Sequence, residues 1–183
     1  MVLNIILIQF GLKRKIRIVN RLDRDTSGIV IFAKNEYIQE CLISQMKDNI
    51  FLKEYIGILI GILDKKNGII DAPIARKQGS IIERCIDENG QNAITHYTVD
   101  KELKDLSVVH FILKTGRTHQ IRVHSLHIGH PLLGDTLYGE CSESINRQAL
   151  HAYKVTFIHP ITKEKMIIEA ELPNDMKNII KKG

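Results

Sequence analysis

Short apolar runs broken by turn-forming residues, with few helical stripes between them, set the strongest limit on how this chain folds. Such runs cover residues 16–20, 29–34, 53–63, 81–86, 93–101, 106–114, 150–158 and 166–170, and their lengths suit strands. Asn67-Gly68, which leads into Ile69-Ile70, and Asn89-Gly90 both carry the turn chemistry of tight hairpins, so neighbouring strands are expected to run antiparallel. The run 29–34 is continuously apolar, which predicts a strand buried on both faces. Helical spacing is confined to three stretches. In residues 36–46 Asn35 caps a face carrying Ile38, Cys41, Leu42 and Met46; residues 118–128 end at Gly129 and Pro131; a short helix closes the chain. The pattern argues for an α+β domain on a mostly antiparallel or mixed sheet.

At 183 residues, 44% hydrophobic and 26% charged, the chain is expected to form one soluble globular domain, with no internal repeat and no obvious linker. A net charge of +5 suits an anionic partner such as nucleic acid without requiring one. Cys41, Cys85 and Cys141 are odd in number and form no CxxC pattern, so neither a disulfide framework nor a zinc site is indicated, and a reducing cytoplasm fits best. The apolar start, residues 1–10, is followed and not preceded by basic residues, unlike a signal peptide, and is too short to span a bilayer. No membrane association is expected, and the start reads as a first strand or a poorly ordered segment.

Two polar stretches are dense enough to carry chemistry. In Arg21-Leu22-Asp23-Arg24-Asp25-Thr26-Ser27-Gly28, two arginines flank Asp23, and Thr26, Ser27 and Gly28 can fold the backbone tightly beneath it. Alone, this octapeptide fits a surface ion pair as well as it fits a carboxylate acting as nucleophile or base. In Lys114-Thr115-Gly116-Arg117-Thr118-His119-Gln120-Ile121-Arg122-Val123-His124, Arg117 stands at a glycine turn where a helix begins and could bind phosphate. Arg122 carries a planar fork suited to gripping a carboxylate such as Asp23. Taken alone, these arginines also fit a solvated basic helix face. His119, His124, His127 and His130 raise the question of a metal site; His119 and His124 do not share a helix face well and no cysteine or carboxylate completes the set, so no metal is expected.

Together, Asn20-Arg21-Leu22-Asp23-Arg24-Asp25-Thr26-Ser27-Gly28, Lys53-Glu54-Tyr55, the stretch from Thr115 to His124, Gly129-His130-Pro131-Leu132-Leu133-Gly134-Asp135, Leu150-His151-Ala152 and His159-Pro160 resemble the RluA-type family of RNA pseudouridine synthases, in order and in spacing. The resemblance implies the pseudouridine synthase catalytic fold, a twisted, mixed, largely antiparallel sheet with a cleft across it. It implies that Asp23 is the catalytic aspartate, that Tyr55 lies against the uracil ring, and that Arg122 pairs with the aspartate. Arg21 corresponds to the arginine that helps fill the space left by an extruded base in some members. RNA contacts are expected from Arg21, Arg24, Thr26, Arg117, His119, Gln120 and Ile121. The implied activity is isomerisation of uridine in ribosomal or transfer RNA after base flipping, by a monomer, with no metal, nucleotide or other cofactor. Asp23 would act either as nucleophile at C1′ or as base at C2′ of the ribose.

The sequence departs from the family pattern in two places. Asn20 stands where the motif usually begins with histidine, and it is expected to preserve a local hydrogen bond. Residues 1–15 match nothing of the segment that members carry before the aspartate motif, so a shortened start is expected, with an uncovered sheet edge and lower stability than full-length relatives. The competing reading is a non-catalytic or degenerate RNA-binding fragment of such an enzyme, which would retain RNA in a salt-sensitive way and form no product.

Overall fold

The computed structural model describes residues 17–183, so the expectations for the apolar start lie outside the described residues. In chain order the first elements are β1 (Arg17–Ile18), β2 (Ser27–Gly28), β3 (Phe32–Ala33), helix α1 (Glu36–Lys47), β4 (Leu52–Ile60) and β5 (Asn67–Asp71). There follow β6 (Ile74–Arg76), β7 (Arg84–Ile86), β8 (Ile94–Glu102), β9 (Leu106–Leu113) and helix α2 (Gln120–His127). The chain ends with β10 (Leu150–Ile158), β11 (Lys165–Glu169) and helix α3 (Asn174–Lys182).

The main sheet has the order β11-β10-β4-β9-β8-β5, all antiparallel, and β2 joins it in parallel along two residues of β10. β4 sits near its centre because its side chains alternate between two apolar layers. Tyr55 and Leu59 pack with Phe111, Leu113 and Ile121 on one face, while Ile56 and Ile58 pack with Val108, Met176 and Ile179 on the other. Helix α2 therefore covers the Tyr55 face and α3 the opposite one. Burying each of the largest side chains, such as Ile58, Leu59 and Phe111, contributes about 1.5–3 kcal/mol relative to exposure. Helix α1 begins as expected, with the Asn35 side chain accepting the Ile38 N–H at 2.9 Å. Its Leu42 enters a third cluster with Val19, Phe51, Val155 and Phe157.

Three local expectations are corrected. Residues 29–34 do not form a strand buried on both faces: among the described residues only Phe32–Ala33 pairs, with β1, and Phe32 is exposed while Ile29, Val30 and Ile31 are half-buried. Asn67-Gly68 does not fold β4 back onto β5; both residues lie within β5, which pairs with β8. Asn89-Gly90 does form a turn, closed by Gly90 N–H to Asp87 O at 2.8 Å, yet β7 pairs with β6 in a separate ribbon and not with β8.

Candidate active site

Register brings the two polar stretches together. Ala152 of β10 stands opposite Gly28 on one side and Tyr55 on the other, so Gly28 and Tyr55 are two strand spacings apart, about 10 Å. The loop that carries Asp23 is thereby laid beside β10. Gly28 has φ +119°, and a Cβ there would lie 2.2 Å from the Ala152 carbonyl oxygen, so no other residue lets the loop approach this closely. Asn20 pins the other end of the loop, its amide donating to Ile29 O at 3.1 Å and accepting from Ile31 N–H at 2.8 Å.

Within the loop, Thr26 N–H donates to Asp23 O at 3.1 Å, closing a turn in which Asp25 adopts φ +67°. Two consecutive residues before β10 hold this turn from outside. Gln148 donates to Arg24 O and to Thr26 Oγ1, and Arg147 Nη1 donates to Asp25 O at 3.3 Å. Arg147 is itself gripped by Asp175 at the start of α3 through bonds of 2.8 and 3.0 Å. Sequence reasoning missed Arg147 and Gln148, since nothing local says which loop they reach.

The cleft so formed has a cavity volume of about 290 Å³. Asp23 and Thr26 line it together with Lys53 and Tyr55; Leu22, Leu113, Ile121 and Leu150 make its apolar wall. Arg21 and Arg117 stand at its rim, and Arg21 reaches across to Thr118 Oγ1 at 3.4 Å. Tyr55 is 6% exposed, and burial together with the charge of Asp23 pushes its phenol far above the usual 10, so it stays protonated at any physiological pH. Lys53, two residues before Tyr55 and on its side of β4, also faces the cleft, and burial lowers its pKa. It escaped the site assignment although strand alternation puts it on the same face.

Arg122 corrects an expectation. Its fork is filled by Asp135, through Nε at 2.7 Å and Nη2 at 2.6 Å, and not by Asp23. The reason is tertiary: residues 131–133 extend along the end of β4, with Leu132 bridging Leu59, and deliver Asp135 into the interior beside α2. Asp135 is 1% exposed and also accepts the N–H groups of Leu137 and Tyr138. Burial pulls the Arg122 pKa down, but the hydrogen bonds and charge of Asp135, with the nearby charge of Asp23, outweigh it and the net shift is upward. Tyr138 lies against the guanidinium, its ring centroid 4.9 Å from Cζ.

The remaining expected residues divide sharply. His119, in a left-handed conformation ahead of α2, lies 2.7 Å from Tyr138 Oη through Nδ1, and burial lowers its pKa. Gln120 spends its amide on structure, accepting from Thr115 Oγ1 and Arg117 N–H and donating to Ile94 O and Thr95 Oγ1. Ile121 belongs to the cleft wall, while the Arg24 side chain points to solvent and pairs with Asp25. His124 bonds Thr95 and Ala72 O, and His130 bonds Ile60 O. Among the described residues no cluster of three or more histidine, cysteine, aspartate or glutamate side chains has the geometry to hold a metal ion.

Comparison with known proteins adds a second line. The family described as RNA pseudouridylate synthase matches residues 3–127. Two Bacillus subtilis (strain 168) proteins named uncharacterized RNA pseudouridine synthase, YjbO and YhcT, are each 46% identical, over 171 and 167 residues. These alignments cover 93% and 90% of this chain and 60% and 55% of those proteins. Ribosomal large subunit pseudouridine synthase D of Buchnera aphidicola subsp. Schizaphis graminum is 42% identical over 178 residues, 89% of this chain and 56% of that protein. The chain thus spans 55–60% of the length of these curated relatives. In fold it is similar to Human RNA Pseudouridylate Synthase Domain Containing 1, with a TM-score of 0.79 at 24% identity, over 100% of this chain and 84% of that one.

Proposed function

Because the chain belongs to the RNA pseudouridylate synthase family, we propose that it isomerises uridine in RNA to pseudouridine in the cleft around Asp23 and Tyr55. The observation that carries this reading is the composition of that one cleft: a carboxylate, a buried neutral phenol, an apolar wall and an arginine rim. A uridine in folded RNA must leave its stack to be worked on, and such a cleft receives a flat ring on its wall and the flanking backbone on its rim.

The reaction breaks the bond from N1 to C1′, turns the uracil while it stays bound, joins C5 to C1′, releases the C5 proton and protonates N1. Atoms and electrons balance within the nucleotide, so no cofactor enters. Asp23 acts on the ribose, Tyr55 supports the ring as an un-ionised phenol, and Arg122, fixed by Asp135, adds positive charge near Asp23. Arg21, Arg117 and Thr26 contact the RNA around the extruded nucleotide.

The names of the relatives favour large-subunit ribosomal RNA over transfer RNA as substrate, and we place the protein in the cytoplasm as a monomer. Among the described residues no helix is long and apolar enough to cross a membrane. Asp23→Asn tests the assignment, since it keeps the side-chain shape without the charge. Pseudouridine formation is expected to fall by about 10²–10⁴-fold, with RNA retained as tightly as by the wild type. Turnover unchanged in this variant would remove Asp23 from the chemistry.

A further inference from the structure

Outside the cleft, the ribbon of β6 and β7 holds an arrangement that is costly without a ligand. Arg76 and Arg84 are direct cross-strand partners, so two cations stand side by side on one face of a two-stranded ribbon. They line a depression of about 340 Å³ together with Arg117, Asn89, Gln91 and Thr118, and no acidic side chain is among its lining residues. Of the acids close to it in sequence, Glu83 pairs with Lys77 at 2.9 Å and Asp87 accepts the Asn89 N–H at 2.8 Å, while Glu88 is exposed and is not among the lining residues.

Each guanidinium is anchored by backbone carbonyls. Arg76 Nη1 donates to Ile81 O at 2.9 Å, Arg84 Nη1 to Ile82 O and Glu83 O at 3.2 and 3.1 Å, and Arg117 Nε to Asn92 O at 2.8 Å. Anchoring one edge of a guanidinium fixes its plane and leaves the other N–H groups for an acceptor, at a lower entropic cost than a free surface arginine would incur. The acceptor that matches several such groups is an anion with several oxygens. Arg117 and Thr118 also line the cleft, so the depression is its continuation.

We propose that Arg76 and Arg84, with Arg117, form a phosphodiester-binding subsite that grips the RNA backbone beside the nucleotide held in the cleft. This rests on the RNA reading above and extends it to residues of the β6–β7 ribbon. Such a subsite acts on binding and not on the chemical step, and its signature is the salt dependence of affinity.

The test is filter retention of a transcribed, unmodified large-subunit ribosomal RNA across a salt series, with pseudouridine formation followed on the same RNA. The double variant Arg76→Gln/Arg84→Gln is expected to lower the slope of log affinity against log salt by roughly 1.4–1.8, from two lost phosphate contacts. It should weaken binding at least tenfold at low salt and leave kcat at saturating RNA within about twofold. Arg76→Lys/Arg84→Lys, which keeps both charges, is expected to keep most of the slope and reports that the ribbon still folds. Lys181→Gln/Lys182→Gln at the end of α3 removes the same charge elsewhere and should leave the slope unchanged. An unaltered slope in the glutamine variant, or an equal loss in the Lys181/Lys182 control, overturns the subsite. Wild type that retains RNA but makes no pseudouridine overturns the enzymatic reading and leaves the subsite standing; wild type that holds no RNA overturns both.

Discussion

Arg122 and Asp135 illustrate how much a single buried contact decides. Taking away one member of so enclosed a pair strands the other charge, which costs about 3–5 kcal/mol. Asp135→Ala should therefore lower the unfolding free energy by that amount in urea titration, and adding Arg122→Met should recover part of it by removing the stranded cation. A midpoint equal to the wild type for Asp135→Ala would mean that the pair contributes nothing. At this scale the meeting of Asp23 and Tyr55 in one cleft was legible only through the family resemblance, since nothing local to either residue says that the loop and β4 lie together. The partner of Arg122 was not. Asp23 and Asp135 offer the same chemistry, and only the Leu132–Leu59 bridge selects Asp135.

Among the elements, the link from α3 through Arg147 to the Asp23 loop couples the last helix to the candidate active site. Lysine at position 147 supplies one ammonium where Arg147 makes five hydrogen bonds from three nitrogens held in a fixed plane. Arg147→Lys is therefore expected to lower kcat for the proposed reaction severalfold with KM little changed, and Asp175→Asn should reproduce the effect more weakly. Steady-state kinetics on one RNA checks this; a change confined to KM would put Arg147 in substrate binding and not in positioning the loop. Helix α1 was readable because its cap and its stripe are local features. The strand partners at Asn67-Gly68 and Asn89-Gly90 were not, because a turn motif states that the chain bends without stating which strand receives it. The separate β6–β7 ribbon follows from packing of Ile74 with Val123 and Tyr138, contacts distant in sequence.

For the molecule as a whole, three interior histidines set the response to acid. Burial lowers the pKa of His119, His124 and His151 below the usual 6.5. Below that pH the unfolded chain binds protons that the folded chain refuses, so stability is complete above about pH 6.5 and falls as the pH drops toward the folded-state values. Thermal melts are expected to hold steady from pH 7 to 8 and to fall between about 6.5 and 5; a flat or rising melting temperature there would contradict the burial of neutral imidazoles. The docking of the Asp23 loop on β10 has a consequence in time. Its hydrogen bonds to Arg147 and Gln148 span 122 and 124 residues of chain, and the Asp175 anchor follows later still. A protein made from its N-terminus carries the loop long before the strand that receives it exists. The nascent chain on its ribosome, surrounded by RNA, thus holds Asp23 without a cleft until residues 147–175 have been made and have folded against the loop.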